Sequence, residues 1–313
     1  MKILIAGGAG FIGSHLSRFF LEKGDEVWII DNLVTGDRNN VADLTTNGRF
    51  HFVESDIADY NYENFPAFDI IYDLASPASP ILFDKIPLEI LKTNSVGLMK
   101  LLEFFKKSRS RTLVFASTSE VYGDPQISPQ KEDYFGNVNS FGPRACYDEG
   151  KRFAEALIYS HIRKFDLDIR IVRIFNTYGP NMSKADGRVI SNFINQAITD
   201  KPLTIYGDGS QTRSCCFVSD MVEGLYLMGT KDNLKGKVIN VGNPDERKIV
   251  DIARLVKKLV GSNSRITFTE IGQDDPKRRC PDITLASRLL GWSPKVNLQE
   301  GLEKTINYFK KLT

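Results

Sequence analysis

The sequence contains few of the side chains that bind metals or form disulfides. Its 313 residues include four cysteines and three histidines. The cysteines show no Cys-x-x-Cys spacing and no histidine pair lies near them, so we expect no metal site. Free thiols are typical of a reducing compartment, and we therefore expect a cytoplasmic protein. The four cysteines are Cys146, Cys215, Cys216 and Cys280.

Long apolar runs and an excess of one charge are also absent. The apolar run at residues 3–6 is too short for a signal-peptide core, and no later stretch approaches the roughly 20 apolar residues of a membrane span. The 41 basic and 39 acidic side chains leave a net charge of +2, which gives no signal for nucleic acid or a membrane surface. We therefore expect a soluble protein that binds neither.

Short runs rich in β-branched residues alternate with helical patterns through the first half of the chain. Strands are predicted at 2–6, 26–31, 50–54, 69–75, 111–117 and 168–174, and helices at 11–23, 87–107 and 146–164. This alternation is typical of an α/β fold with a doubly wound parallel sheet. Later helical segments at 188–199, 220–228, 249–260 and 298–311, with one strand at 237–241, predict a smaller C-terminal α/β domain.

A glycine-rich turn directly follows the first predicted strand. Gly7, Gly10 and Gly13 lie between that strand and a helix, which is the context that a dinucleotide-binding turn requires. Glycines let backbone N–H groups approach a pyrophosphate at the helix N-terminus. Asp31 ends the second strand, where its carboxylate would bind ribose hydroxyls and repel a 2′-phosphate, so NAD is favoured over NADP. A glycine turn with an incidental aspartate is the alternative interpretation.

A tyrosine–lysine pair is the strongest catalytic signal. Among the eleven tyrosines, only Tyr147 has a lysine four positions later, Lys151, and on a helix this spacing places both side chains on one face. A tyrosine base near neutral pH needs its pKa lowered from about 10 by roughly three units. A neighbouring ammonium and a positive nicotinamide ring can supply most of that shift. The hydroxyls of Thr118 and Ser119, beside Glu120, follow the fifth strand and could bind a sugar hydroxyl, although a Ser/Thr-rich turn is the simpler interpretation.

Together these features resemble the extended short-chain dehydrogenase/reductases, which are NAD-binding Rossmann enzymes. Several segments, spread nearly end to end, are similar to the UDP-glucuronate decarboxylase (UDP-xylose synthase) family: LASPASP at 74–80, STSEVYGDP at 117–125, CYDEGKR at 146–152, RIFNTYGP at 173–180, YGDGSQTR at 206–213, DDP at 274–276 and PDI at 281–283. The glycine turn and the Tyr-x-x-x-Lys motif are shared by the whole superfamily. LASPAS and STSEVYGDP are close to subfamily-specific.

The resemblance implies an NAD-binding Rossmann domain at 1–176, joined by a returning segment near 214–244, and a nucleotide-sugar-binding domain at 177–313. The implied cofactor contacts are Gly7, Gly10, Phe11, Ile12, Gly13, Asp31, Asn32, Thr35, Gly36, Asp56, Ile57, Leu74, Ala75, Ser76, Asn94, Tyr147 and Lys151. Asp56 fits an adenine contact, but a solvated loop aspartate is nearly as good an interpretation. The implied substrate contacts are Asn176, Arg188, Val189, Tyr206, Arg213, Arg278 and Arg279, and each arginine could instead be a solvated surface charge.

The family reaction accounts for the catalytic set without a metal. The resemblance implies that Tyr147 takes the proton of the sugar 4-hydroxyl while NAD oxidises C4, and that the 4-ketone then allows loss of CO₂. Thr118 or Ser119 would stabilise the oxyanion, and Glu120 would position the sugar or a water, unless it is only a structural carboxylate. Similar 4,6-dehydratases carry an Asp–Glu pair here. Because Ser119 occupies the Asp position, elimination is disfavoured.

The sequence departs from the family pattern at a few positions. Asp73 stands where relatives usually have His, and a buried acid there needs a hydrogen-bond donor. Cys215-Cys216 replaces an aromatic–polar pair. Lys277 and the following arginines also differ, so the resemblance does not decide whether Arg278 or Arg279 reaches the sugar.

Three other functions remain open. A UDP-sugar 4-epimerase acting on UDP-glucuronate or UDP-glucose would use the same Tyr147 and Lys151, and a variant enzyme could release the UDP-4-keto-pentose and NADH. A non-catalytic NAD-sensing regulator is a remote alternative, because such proteins typically lose the tyrosine or the lysine. The family also implies a homodimer, formed by helices near 87–107 and 146–164, whose wide apolar surface permits it.

Overall fold

The computed structural model describes residues 1–270 and 278–312. The Asp274-Asp275-Pro276 motif and Lys277 lie outside the described residues. Within the described ranges, no helix is both long and apolar enough to cross a bilayer.

A seven-stranded parallel sheet forms the centre of the molecule. In spatial order its strands are β11 (Val238–Val241), β6 (Ile169–Ile174), β5 (Thr112–Thr118), β4 (Ile70–Asp73), β1 (Lys2–Ala6), β2 (Glu26–Asp31) and β3 (Phe50–Glu54). All neighbouring pairs are parallel. The doubly wound Rossmann fold predicted from the sequence is thereby confirmed, and the predicted strands agree with the observed ones to within two residues at each end.

Helices cover both faces of this sheet. The helices are α1 (Phe11–Glu22), α2 (Pro87–Lys92), α3 (Leu98–Ser108), α4 (Ala145–Phe165), α5 (Val189–Ile198), α6 (Val218–Thr230), α7 (Ile249–Val260) and α8 (Leu298–Lys311). Successive residues of β1 alternate between two core clusters, because side chains of a strand point to opposite faces. Ile3 and Ile5 pack with α1 and α6, whereas Leu4 and Ala6 pack with α3 and α4.

The helix predicted at 87–107 is present, but it contains one turn that is wider than an α-helical turn. A π-helical turn at Thr93–Gly97 separates α2 from α3. The sequence did not predict this wider turn, which is rare and usually occurs as a single turn within an α-helix.

Within residues 177–270 and 278–312, the structure shows three small two-stranded sheets that the sequence did not predict. Their strands pair as β7 (Thr177–Tyr178) with β10 (Cys216–Phe217), β8 (Leu203–Tyr206) with β13 (Ile266–Thr269), and β9 (Thr212–Ser214) with β12 (Glu246–Lys248). Strands of two to four residues are too short to show a period-2 pattern. The chain also returns to the central sheet: α6 packs on β4, β5 and β6, and β11 pairs with β6.

The strand order reverses at β1, and the position of this reversal predicts where a ligand binds. The chain runs from β1 to β2 and β3 on one side, then crosses to β4, β5 and β6 on the other. Ligands of open α/β sheets bind at the carboxyl ends of the strands beside such a reversal. The segments that follow the first six strands carry most of the predicted site residues.

Candidate active site

A cavity of about 1870 Å³ lies across the carboxyl ends of the strands. The glycine turn after β1 forms one end of its lining, and residues of the second half of the chain form the other. All but two of the residues predicted from the sequence line it. The exceptions are Asn94 and Arg278.

The glycine turn after β1 forms a close-packed cradle. Gly7 has φ +77°, a conformation that L side chains rarely adopt. A Cβ at Gly13 would lie 2.1 Å from the Gly7 carbonyl oxygen, so only glycine lets the start of α1 approach the turn. The N-cap of α1 is Gly10, whose lack of a side chain leaves the first N–H groups of the helix facing the cavity. This cradle fits a pyrophosphate, as an NAD site requires.

Asp31 is held in place at the end of β2. Its carboxylate oxygens accept from the backbone N–H groups of Ala9 and Leu33, each at 2.9 Å. Burial raises the pKa of Asp31, while these N–H donors oppose that rise. A Cβ at Gly36 would lie 2.7 Å from an Asp31 oxygen, so the passing loop also needs glycine. Next to it, the Asn32 amide donates to the Asp56 carboxylate at 2.8 Å.

The other predicted cofactor residues surround this part of the cavity, with one exception. Phe11, Ile12, Thr35, Ile57, Leu74, Ala75 and Ser76 all contribute to its lining. Asn94 does not, because it is buried behind Ser76, to whose hydroxyl its amide donates at 2.9 Å. Asn94 thus supports Ser76, and its direct contact with the cofactor stays a prediction.

Tyr147 and Lys151 lie on the first two turns of α4, facing the end of β5. The Tyr147 hydroxyl shares a hydrogen bond with Thr118. Burial raises the pKa of Tyr147 to about 12, although this hydrogen bond opposes the rise. The Lys151 ammonium donates to the Ala116 carbonyl oxygen at 2.9 Å and lies 4.6 Å from the centre of the Phe115 ring. Burial lowers the pKa of Lys151 to about 8, against the opposing charges of Asp73 and Glu155.

A buried Asp73 needs a hydrogen-bond donor, and a backbone N–H group provides it. Its side chain, at the end of β4, accepts from the Ala75 N–H at 3.2 Å. Burial raises the pKa of Asp73 to about 6, and the Lys151 ammonium limits the rise. The charges of Asp73 and Lys151 therefore act on each other's pKa, although both side chains are buried.

Glu120 lies in a short 3₁₀ turn after β5, between two arginines. Arg279 donates to both of its carboxylate oxygens. Arg144, which precedes α4, donates to Oε2 at 2.6 Å. Burial alone would raise the pKa of Glu120, but the two guanidinium groups hold it below its usual range. The sequence analysis did not assign Arg144; its only sequence signal is a basic residue three positions before Tyr147.

The predicted substrate residues line the far half of the cavity, except for Arg278. Asn176, Val189, Tyr206 and Arg213 contribute to the lining. Arg188 is fixed by Asp186, with Nη2 and Oδ2 2.7 Å apart. Arg278 instead points outward and pairs with Glu246 at 2.8 Å, because successive side chains of an extended segment face opposite sides. Of the two neighbouring arginines, Arg279 is therefore the one in the site.

Within the described residues, no group of His, Cys, Asp or Glu side chains is arranged to hold a metal ion. The cysteines of this part of the chain are unpaired, and Cys215 and Cys216 are buried.

The fold and the site define an NAD-dependent enzyme of the extended short-chain dehydrogenase/reductase class. Residues 3–242 match the family model described as the NAD dependent epimerase/dehydratase family. The chain therefore belongs to this family, and the resemblance drawn from its sequence motifs is confirmed.

Within this family, the chain is similar to several curated proteins and solved structures. The chain is 49% identical over 310 residues to UDP-glucuronic acid decarboxylase 1 of Xenopus tropicalis, covering 99% of this chain and 72% of the relative. It is 48% identical over 303 residues to UDP-glucuronic acid decarboxylase 5 of Arabidopsis thaliana, covering 96% and 87%. Among solved structures, UDP-glucuronic acid 4-epimerase from Bacillus cereus, in complex with UDP-glucuronic acid and NAD, is 32% identical with a TM-score of 0.91 and 100% coverage of both chains.

Proposed function

We propose that the chain converts UDP-glucuronate to UDP-xylose and CO₂ through a 4-keto intermediate. The observation that carries this proposal is the 49% identity, over nearly the whole chain, to relatives named as UDP-glucuronic acid decarboxylases. The geometry agrees with it, because Ser119 rather than a second acid precedes Glu120 in the site. Loss of CO₂ needs no acid–base pair to expel a hydroxyl.

Tyr147 acts as the base in this proposal. Its phenolate takes the proton of the sugar 4-hydroxyl, and Thr118 orients the phenol through their shared hydrogen bond. Lys151 holds a positive charge on the same helix face, which favours the phenolate. Bound NAD supplies the reversible oxidation of C4 and a positive ring that further lowers the pKa of the tyrosine.

The ketone at C4 makes decarboxylation possible. The C5 carboxylate is β to this ketone, so the electrons of the breaking C–C bond move into the carbonyl and form an enolate as CO₂ leaves. The hydroxyls of Tyr147 and Thr118 stabilise the oxygen at C4. Glu120 positions the water that then protonates C5. Reduction of C4 closes the cycle with no net consumption of NAD.

The arginines of the second half of the chain bind the anionic parts of the substrate. We assign residues 1–176, with the returning segment near 214–244, to the cofactor and the rest of 177–313 to the nucleotide sugar. Arg213 and Asn176 contact the diphosphate, and Tyr206 and Val189 lie beside the uridine. Arg279 and Arg188 are close to Tyr147 and Glu120, where the sugar must lie.

We also propose a cytoplasmic homodimer. The helices α2, α3 and α4 carry apolar side chains that are exposed in the single chain, and α2 packs beside α4. Such an apolar surface is typical of a subunit interface. Its residues are Leu88, Leu91, Val96, Met99, Phe153 and Tyr159.

A 4-epimerase of UDP-glucuronate is the second candidate. It is favoured by the solved epimerase from Bacillus cereus, whose fold covers this chain completely at 32% identity. Both reactions begin with the same oxidation at C4 and both need Tyr147 and Lys151. They differ in whether the carboxylate is lost before C4 is reduced again.

Mass spectrometry of the sugar nucleotide separates the two. The purified protein is incubated with UDP-glucuronate, with and without added NAD, and Tyr147→Phe is the control. A product lighter by one CO₂, absent with Tyr147→Phe, supports the decarboxylase. Unchanged mass with inverted C4 supports the epimerase, and release of the keto-pentose with equimolar NADH supports the incomplete cycle. Turnover of a different sugar nucleotide alone would contradict the proposed substrate.

A further inference from the structure

Arg144 joins the two elements that carry the reacting groups. It is the residue before α4, so its backbone is fixed next to the first turn of the helix that carries Tyr147. Its guanidinium donates at 2.6 Å to Glu120, which lies in the turn after β5 next to Thr118 and Ser119. This ion pair is buried, since both side chains are 13% exposed.

The same guanidinium also acts on Tyr147 through an aromatic ring. The Arg144 carbon Cζ lies 5.4 Å from the centre of the Phe83 ring. Phe83 also stacks on Tyr147, with ring centres 5.2 Å apart and an interplanar angle of 16°. A cation over an aromatic face and a stacked ring pair are both attractive contacts. Arg144 thus contacts Glu120 directly and Tyr147 through one intermediate side chain.

Glu120 is held by two cations that differ in their surroundings. Arg279 donates both terminal nitrogens to Glu120 and lines the cavity where the sugar carboxylate must bind. Arg144 lines the same cavity, but its guanidinium also packs against Phe83, and its Nε lies 3.8 Å from Oδ2 of Asp148. An entering carboxylate competes with Glu120 for Arg279, and a buried carboxylate left without a cation is costly.

We propose that Arg144 is a positioning residue that keeps Glu120 ionised and in place when Arg279 turns to the carboxylate of the substrate. This inference rests on the proposed reaction and deepens it, since it explains how one site can hold its own carboxylate beside that of a uronic acid sugar. Arg144 lines the cavity, and in this proposal it stabilises Glu120 rather than acting on the sugar itself. It acts through Glu120 and Phe83.

The charged and titratable groups that face Glu120 determine the sign of the pH effect. Arg144 and Arg279 lower the pKa of Glu120. Removing Arg144 therefore raises it, typically by about one to three units for a nearby opposite charge. The other groups that act electrostatically with Glu120 are Asp148 and Tyr147 on α4 and Arg188 before α5.

The experiment compares wild type, Arg144→Gln and Arg144→Lys, each loaded with NAD, over a range of pH. With Arg144→Gln we expect kcat to fall about tenfold or more, since acid–base assistance is worth about 10²–10⁴-fold, and its acid limb to move up by at least about one pH unit. Arg144→Lys retains the charge and restores most of the pH profile. Arg163→Gln, an exposed arginine of the same helix, is the matched control and leaves the profile unchanged.

A second measurement does not depend on turnover. Infrared difference spectra between each protein and its Glu120→Gln counterpart report the protonation of Glu120 directly, and we expect its titration to move upward in Arg144→Gln but little in Arg144→Lys. An unmoved acid limb together with an unmoved Glu120 titration in Arg144→Gln overturns the inference. A wild type that fails to convert UDP-glucuronate overturns the proposed function instead, and the infrared titration still decides the role of Arg144. If Arg144→Gln does not fold, Arg144→Lys decides the question. A pKa of Glu120 that is much higher in Arg144→Lys than in wild type contradicts the proposal that Arg144 acts through its positive charge.

Discussion

Lys151 is a buried cation for which we propose a catalytic role. The ammonium contacts a carbonyl oxygen and an aromatic face, and burial lowers its pKa to about 8. Burial raises the pKa of Tyr147 to about 12, so the phenolate needs a nearby positive charge. We propose that the buried ammonium supplies this charge, because charge interactions are stronger away from water.

We expect Lys151→Met to lower kcat by about 10²-fold or more near neutral pH. Without the ammonium, the pKa of Tyr147 rises further, so the pH at which activity begins moves upward. Lys164→Met, an exposed lysine near the end of the same helix, is the control and leaves the profile unchanged. The pH dependence of kcat checks this. A Lys151→Met profile with the same limbs as wild type contradicts the assigned role.

Asp73 makes stability depend on pH in a defined window. Burial raises its pKa from 3.8 to about 6, so the folded protein holds this proton more tightly than the unfolded chain does. The stability that the proton contributes is fully present below the unfolded pKa and is lost as pH rises through about 6.

Asp73→Asn removes that loss. We expect its free energy of unfolding, relative to wild type, to increase by on the order of 3 kcal/mol as pH rises through this window, at about 1.4 kcal/mol per pKa unit. Urea unfolding at a series of pH values measures the difference. A difference that stays constant with pH would contradict this account, because it would show that the pKa of Asp73 is the same in the folded and unfolded chains.

The turn between β1 and α1 is the element on which cofactor binding depends most strongly. Gly13→Ala would place a methyl group 2.1 Å from the Gly7 carbonyl oxygen, so the turn must open. We expect a large loss of NAD affinity, at least about tenfold, because the N–H groups at the start of α1 no longer point at the pyrophosphate. Gly48→Ala is the matched control, since nothing lies within 4 Å of its added methyl. Fluorescence titration with NADH measures the affinity of each variant. Equal affinities of Gly13→Ala and Gly48→Ala would falsify the assignment of this turn to the pyrophosphate.

Elements with strong local patterns were predictable from the sequence, and elements fixed by distant contacts were not. Buried parallel strands such as β2 (Glu26–Asp31) are continuous apolar runs, which is why their bounds could be predicted. The pair β7 and β10 has two residues in each strand and exists only because its partners meet in the fold. The sequence did not predict the π-helical turn at Thr93–Gly97 either.

In the candidate site too, local motifs were predictable from the sequence and contacts between distant residues were not. The glycine turn and the Tyr147–Lys151 pair are local motifs, so their residue types and spacing predicted both. The contact between Glu120 and Arg279 joins residues 159 positions apart, and no local pattern could pair them. Nor could the sequence decide between Arg278 and Arg279, since that depends on which way an extended segment faces.

At the scale of the whole molecule, the apolar surface on α2, α3 and α4 predicts how two copies associate. Leu88 is 74% and Met99 40% exposed in the single chain. We expect the double variant Leu88→Glu with Met99→Glu to be monomeric, because charges buried in an apolar interface are strongly unfavourable. Phe268→Glu, which is 57% exposed on β13, is the control and leaves the assembly unchanged. Sedimentation velocity measures the mass. A monomeric wild type, or a double variant that remains dimeric, would contradict the proposed interface.

The central claim is that oxidation at C4 leads to loss of the C5 carboxylate within one closed cycle. The most direct test follows the NAD-loaded wild-type protein acting on UDP-glucuronate in D₂O, by NMR of the sugar and by NADH absorbance together. The account predicts a UDP-pentose with deuterium at C5 and no net NADH, since water protonates C5 and C4 is reduced again. A UDP-sugar that keeps its carboxylate and carries an inverted C4 would contradict it.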